Sequence, residues 1–453
     1  MTDAYSKRPL TALLKGAALL ALLATGLPAA EKVSEVPATG QWPQWRGPSG
    51  SGSAPLADPP TSWSEEKNIR WKVQIPGNGH STPVVWDQRI FLTTAVPYGD
   101  AVVPKPETAP GAHDNVPVTH HHEFTVLAVS RKDGTVEWQK VVHRELPHAR
   151  RHYTGSFASN SPVTDGRRIY AFFGSRGIYC LSLDGELKWQ KDLGKMQIKH
   201  AHGEGSSPAL YNDTLIVNWD HEGQSFVMAF DKHTGDERWR NERDEVTSWA
   251  SPITFDFQGK PQAVISGTSS VRSYDLVTGN VLWECGGLSH NIVATPIAAH
   301  GMVFAASSYE KQALLAIRLA GASGDITNTD QVVWTRNQRT PYVPSPLLYD
   351  DSLYFLRHYQ GILSRIHATS GEERLGPFRL FGVRNIYSSP VAAASRIYIT
   401  DLDGATVVVS HTDKPEVLAV NQLDDGFSAS AALVGRDLIL RGHRSLYCIT
   451  NPK

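Results

Sequence analysis

Along most of this chain, short runs of alternating apolar and polar residues are separated by polar, glycine-containing turns, the pattern of half-buried β-strands. The alternation recurs in register. A Ser/Thr-Pro pair leading into an apolar run appears as STPVV at Ser81, NSPVT at Asn160 and SSPAL at Ser206. It returns as ASPIT at Ala250, ATPIA at Ala294, PSPLL at Pro344 and SSPVA at Ser388. Pro83, Pro162, Pro208, Pro252, Pro296, Pro346 and Pro390 are spaced by 79, 46, 44, 44, 50 and 44 residues, so one repeat carries a long insertion and the others are near-uniform. An eighth copy, SASAALV from Ser428, has lost the proline.

Each copy continues in the same way. A β-rich run such as RIYAFFG or TLIVNW is followed by an alternating strand, a polar turn with glycine, and a strand carrying tryptophan. The clearest examples are AFDKHTGDERW (Ala229 to Trp239) and SYDLVTGNVLW (Ser273 to Trp283). Copy five is stretched before VVWTR at Trp334, copy six has Leu375 where tryptophan is expected, and copy seven drops the glycine turn. Turn glycine serves hairpin geometry, since it reaches positive φ without penalty.

Four antiparallel strands per copy predict an all-β, eight-bladed propeller, because small sheets bury both faces when arranged radially. Two β-sandwiches would not require uniform repeats. Trp71, Trp138, Trp189, Trp239, Trp283 and Trp334 are expected to pack between blades. The last copy stops after SLYCI, one strand short. The orphan segment NIRWKVQIP (Asn68 to Pro76) is expected to pair beside Ser445 to Ile449 and close the ring, with Trp71 in the outer-strand position.

The predicted organisation is an export signal over 1–30, an N-terminal extension over 31–62, and the propeller over 63–453 with an insertion at 97–122 in blade 1. Lys7, Arg8 and Lys15 precede the apolar stretch GAALLALLATGL, and cleavage is expected after Ala30, with Gly26 as a rival end point. No cysteine follows that stretch for lipid attachment. The mature chain is therefore expected in the periplasm or outside the cell, as a monomer without a membrane span.

Lysine plus arginine total 44 against 45 aspartate plus glutamate, a net charge of −1 that supplies no basic field for nucleic acid. Cys180, Cys285 and Cys448 form no CxxC or adjacent pair and are expected as small buried residues. Cys180 and Cys448 hold equivalent positions in blades two and eight, so no bond between them is expected.

The Ser/Thr-Pro strand should be innermost, which brings the residues before it to the channel mouth. Those are Asn78 and His80, Tyr153 and Asn160, His202 and Glu204, Trp249, His290 and Asn291, Tyr342, Asn385 and Tyr387, and Phe427. His80, Asn160, His202, Glu204, Trp249, Asn291, Tyr342 and Tyr387 are the candidate ligand-binding set, suited to a polar small molecule or a peptide. In KHAHGEG, an extended backbone would point His200, His202 and Glu204 the same way, the one approach to a metal-ligand spacing; no fourth ligand accompanies it, and no metal site is expected. His120, His121 and His122 are consecutive and cannot share one metal, so the insertion reads as a loop crossing the propeller face, with a lid or docking loop as the sharper alternative.

AFDKHTGDERW and SYDLVTGNVLW resemble the tryptophan-docking motif A-x-D-x-x-T-G-x-x-x-W of the PQQ-binding-like, quinoprotein alcohol dehydrogenase-like propellers. QWPQWRGPSGSG, followed by WSEEKNIRWKVQIPGNGHSTPVVWDQRIFL, is similar to an exported, BamB-like bacterial subfamily. The resemblance runs from about Gln41 to the C-terminus. It implies a scaffold role with precedent in cell-envelope assembly, or, in the family's enzymes, pyrroloquinoline quinone (PQQ) and calcium over the axis with an acidic base. Soluble alcohol-oxidising members add an adjacent Cys-Cys pair, which this chain lacks. The reading is a non-catalytic binding or protein-interaction scaffold whose partner is an envelope protein or small polar ligand. The alternatives are a periplasmic PQQ-dependent oxidoreductase and a carbohydrate-binding propeller.

Overall fold

A computed structural model describes residues 40–452, so the expected export signal lies outside the described residues. Blade 1 is an antiparallel sheet of Val84–Trp86, Arg89–Tyr98, His121–Ser130 and Val136–Glu145. Blades 2 to 7 follow in chain order, their first strands being Val163–Thr164, Ala209–Tyr211, Ile253–Phe257, Ile297–Ala299, Leu347–Tyr349 and Val391–Ala393. Blade 8 joins Ala432–Val434, Asp437–Arg441 and Ser445–Thr450 to the N-terminal strand Ile69–Gln74. Trp71 lies opposite Cys448, Lys72 opposite Tyr447 and Val73 opposite Leu446, so the two ends of the chain share one blade as expected.

The Ser/Thr-Pro repeat acquires a physical reason in three dimensions. The backbone N–H of each residue before the proline donates to the hydroxyl of its counterpart in the next blade. Thr82 N donates to Ser161 Oγ at 2.9 Å, Ser161 N to Ser207 Oγ at 2.9 Å and Ser207 N to Ser251 Oγ at 2.9 Å. The chain of bonds continues from Ser251 to Thr295 at 3.3 Å, Thr295 to Ser345 at 3.0 Å, Ser345 to Ser389 at 2.9 Å and Ser389 to Ser430 at 2.9 Å. At the seam, Thr82 Oγ1 is buried without a partner. A hydroxyl belt therefore stitches the innermost strands around the axis, with proline following because no N–H is needed there.

The tryptophans and turn glycines are two halves of one joint. Trp71, Trp138, Trp189, Trp239 and Trp334 each donate Nε1 to a carbonyl of the next blade at 3.0 Å. Their rings cover Gly134, Gly185, Gly235, Gly279 and Gly371, where an added Cβ would come within 2.6 to 2.8 Å of the indole. These glycines are thus required by contact as well as by their positive φ. The losses in the repeat match: Leu375 replaces tryptophan in blade 6, and blade 7 lacks the glycine that would receive it. Blade 5 also lacks the glycine, and Trp283 Nε1 is left without a partner. There the stretched turn instead lays Gly324–Asp325 parallel against Val281–Cys285. Across each hairpin the tryptophan faces a small residue: Ala128, Cys180, Ala229, Ser273, Ala316 or Cys448. Two of the three cysteines are explained by that rule, and all three are free and buried.

Successive blades bury apolar clusters between them, such as Val163, Tyr170, Cys180, Trp189, Leu215 and Phe230 between blades 2 and 3. The described part of the N-terminal extension runs under the end of the propeller opposite the mouth. Trp42 pairs with Val85, and Ala54 N donates to Ala392 O at 2.8 Å. Arg46, 1% exposed, donates Nη1 to Pro390 O at 2.7 Å and Nη2 to Pro346 O at 2.6 Å. No helix among the described residues is long and apolar enough to cross a membrane.

Candidate functional site

Inner strands run away from the mouth, so two sets of loops return to it: those joining one blade to the next, and those between second and third strands. Together they enclose a cavity of about 420 Å³ on the axis. That is the scale of small-molecule sites, about 300–1,000 Å³. Its floor is the hydroxyl belt and Trp45, whose Nε1 donates to Thr295 Oγ1 at 3.1 Å. Of the sequence-derived set, His80, His202, Glu204, Trp249, Asn291, Tyr342 and Tyr387 line this cavity.

Asn160 does not. It is buried beneath the wall, with Nδ2 donating to Ser206 O at 2.5 Å, and acts as a strand-end tie. Among the other mouth residues, Asn78 pairs with Ala95, Phe427 is fully buried and His290 faces Glu310 at 3.8 Å.

The wall has two chemistries. From blades 5 to 7 it presents tyrosines in stacked pairs, Tyr309 with Tyr342 at 5.6 Å and Tyr359 with Tyr387 at 5.5 Å. Burial pushes the Tyr342 and Tyr387 hydroxyls up to about 12, so both are neutral donors. The other side is imidazole-rich. His113 and His152 each lie 4.7 Å from His202 between ring centroids, and His200 lies 5.4 Å from it. Burial, reinforced by His152, His113 and His200, holds His202 down at about 4; burial together with the neighbouring His443 holds His80 well below its ordinary value. His202 and His80 are therefore neutral near pH 7.

The expected alignment of His200, His202 and Glu204 is not found. Lys199–Ala201 forms a 3₁₀ turn with His200 at φ 55°, so the backbone there is not extended. The Glu204 carboxylate turns away from the imidazoles. It accepts from Ser175 N at 2.7 Å, Ser175 Oγ at 2.7 Å and Arg176 Nη1 at 2.9 Å. Among the described residues, no group of three or more histidine, cysteine, aspartate or glutamate side chains is arranged to hold a metal ion.

The blade 1 insertion reaches this wall. Strand pairing continues as far as Tyr98 opposite His121, leaving residues 99–120 as the loop. Asn115–Val116 then pairs with Arg151–His152, Tyr153 N donates to Asp114 O at 2.9 Å, and Asn115 Nδ2 donates to His200 O at 2.9 Å. His113 and Asp114 from this strap join the cavity lining.

Among the lining residues that escaped sequence reasoning are Trp45, His113, Asp114, His152, Tyr309 and Tyr359. Tyr309 and Tyr359 occupy the same loop in blades 5 and 6, SSYEK and RHYQG, and repeat alignment of those loops would have found them. Trp45 carries no comparable mark, because it comes from outside the repeats.

The family's enzymes require quinone and calcium ligands plus a free acidic base. The acids in the cavity lining are Asp114, which sits against His113 at 3.1 Å, and Glu204, which is fully engaged. Among the described residues no second carboxylate stands beside either, so this lining does not supply the acidic calcium-ligand set of the family's enzymes.

The fold has close architectural counterparts. BamB from Moraxella catarrhalis superposes with a TM-score of 0.51 at 12% identity, covering 80% of this chain and 98% of that one. A europium-containing methanol dehydrogenase gives 0.61 at 11% identity, covering 90% of each chain. The quinohemoprotein alcohol dehydrogenase from Comamonas testosteroni gives 0.62 at 10% identity, covering 93% of this chain and 82% of that one. Identities this low establish the fold alone. No curated protein sequence matches the chain. The family profile described as "Outer membrane protein assembly factor BamB" matches residues 122–375, more than half of the chain, and the chain belongs to that family.

Proposed function

We propose that this chain is an exported, non-catalytic binding propeller whose axial cavity recognises a polar ligand, either free or carried by an envelope partner. One observation carries the reading: the cavity combines stacked tyrosines, neutral imidazoles and a hydroxyl floor, while of its two lining carboxylates Glu204 is held by Ser175 and Arg176 and Asp114 sits beside His113. Such a lining binds and orients. Its mouth carboxylate Glu204 is held by Ser175 and Arg176 and is not free to act as the acidic base of the family's enzymes. Trp45 and the belt close the axis below, and the histidine-bearing strap partly covers it above, so a ligand enters from one face.

Export rests on the charged and apolar N-terminal pattern, and on the family, whose name places its type member in outer-membrane protein assembly. The test is reconstitution of the purified chain with PQQ and calcium, followed by its absorption spectrum and dye-linked oxidation of alcohols and aldose sugars. The expected result is no turnover. Calcium-dependent oxidation would overturn this reading in favour of a quinoprotein.

A further inference from the structure

We propose that the axial cavity takes a hydroxylated ring bearing a carboxylate, a sugar acid of the uronate class, with its carboxylate directed to the hydroxyl belt. This rests on the preceding reading of the cavity as a ligand site and names the ligand's chemistry.

The belt is the first argument. Ser161, Ser207, Ser251, Thr295, Ser345 and Ser389 line the cavity floor. Each oxygen accepts an N–H from the preceding blade. A hydroxyl also carries one O–H, and none of these six donates to a protein acceptor among the described residues. The floor is consequently a ring of donors, each buried to at least 96% as a residue, waiting for acceptor oxygens.

The charge around the belt has the matching sign. Arg46, 1% exposed, bonds only carbonyls, among them those of Pro346 and Pro390, one residue beyond belt members Ser345 and Ser389. Arg441, 2% exposed, donates to Ser81 Oγ and Thr93 O beside belt member Thr82. Neither guanidinium has a carboxylate partner among the described residues. Neither guanidinium lines the cavity itself; each sits against residues next to the belt, and two buried cations without counter-charge favour an anion held at the belt.

Higher in the cavity the requirement reverses. Asn291 is 4% exposed, lines the cavity and leaves Oδ1 without a donor; His202 Nε2 is likewise unpartnered. These groups need a ligand with its own O–H groups. Beside them Tyr309, 48% exposed, and Tyr359, 37% exposed, offer ring faces for a sugar ring to lie against. Donors below, acceptors midway and aromatic faces above describe a polyhydroxylated ring with an acidic end. A neutral sugar leaves the cations unbalanced, and inorganic phosphate leaves Asn291 and the tyrosines unused.

Isothermal titration of the full chain with galacturonate, galactose and inorganic phosphate tests this. Galacturonate is expected to bind at least about tenfold tighter than either other probe, in keeping with hydrogen bonds to a charged group. Ser207→Ala with Ser251→Ala should weaken galacturonate about tenfold and leave galactose unchanged. Asn291→Asp, which keeps shape but adds like charge, should weaken galacturonate by about tenfold or more whatever the belt substitutions do to folding. Galactose binding as tightly as galacturonate would overturn the carboxylate assignment and leave the ligand-site reading standing. Failure of galacturonate to bind at millimolar concentration would overturn the sugar-acid class. Turnover with PQQ and calcium in the same preparation would instead remove the underlying reading.

Discussion

Replacing Trp71 with alanine attacks the joint carried by the N-terminal strand that completes blade 8 beside the C-terminal strand. The indole is 9% exposed, covers Gly134 of blade 1 and donates Nε1 to Arg131 O at 3.0 Å. A buried tryptophan removes about 150–250 Å² from water, which at about 25 cal/mol per Å² is an upper bound of about 4–6 kcal/mol. Measured truncations of this kind cost about 3–5 kcal/mol, and we expect about 4 kcal/mol here, of which about 1 is the hydrogen bond. Trp71→Phe separates the terms, since it keeps most of the area and orphans the carbonyl, and should cost about 1–2 kcal/mol. Urea unfolding followed by circular dichroism measures both, with Trp189→Ala as the equivalent joint inside the chain. If Trp71→Ala stays within about 1 kcal/mol of the wild type while Trp189→Ala loses several, the N-terminal strand is not the clasp that closes the ring.

Three further outcomes follow from the same geometry. Asp220 and Arg243 are fully buried partners at 2.8 Å, and Asp220→Ala should cost about 3–5 kcal/mol by stranding the guanidinium; a loss under about 1 kcal/mol contradicts this. Gly235→Ala should be worse than Gly259→Ala by about 1–3 kcal/mol in urea unfolding, because both have positive φ but only Gly235 lies under an indole, that of Trp189; equal costs would mean that the turn alone selects glycine. The strap over the cavity should loosen in acid. His202 is held at about 4 among His113 and Asp114 of the strap, His152 and Arg151 of the adjoining loop, and His200, whereas a solvated imidazole titrates near 6.5. The open form therefore takes up the proton first, so closure is fully favoured above about pH 6.5 and is lost as pH falls toward 4. Hydrogen exchange of residues 99–120, corrected for intrinsic rates, should accelerate from pH 7 to pH 5; unchanged protection would refute it.

The fold was legible because every repeat states it anew: alternation marks the strands, the Ser/Thr-Pro pair marks the inner strand, and Trp71 marks the closing one. The mouth was legible only by position. Seven of the eight candidate residues line the cavity, whereas Asn160 shows that a residue before the inner strand can tie strand ends instead. Where side chains point was not legible. His200, His202 and Glu204 look aligned in an extended chain, yet a single turn at His200 separates them, and Arg176, distant in sequence, captures the carboxylate. Trp45 and the strap residues His113 and Asp114 were invisible because they lie outside the repeat that made the rest predictable.

The claim that the axis ends in a ligand cavity is tested most directly by labelling all tryptophans with 5-fluorotryptophan and recording ¹⁹F NMR during titration with galacturonate, the resonances assigned by Trp45→Phe and Trp249→Phe. Trp45 forms the floor and Trp249 part of the wall, while the tryptophans between blades cover turn glycines and do not line the cavity. The account predicts saturable shifts of the Trp45 and Trp249 signals with the blade-docking signals of Trp71, Trp138, Trp189, Trp239 and Trp334 unmoved. Saturable shifts confined to the blade-docking signals would contradict it, whereas no shift anywhere would overturn the sugar-acid class.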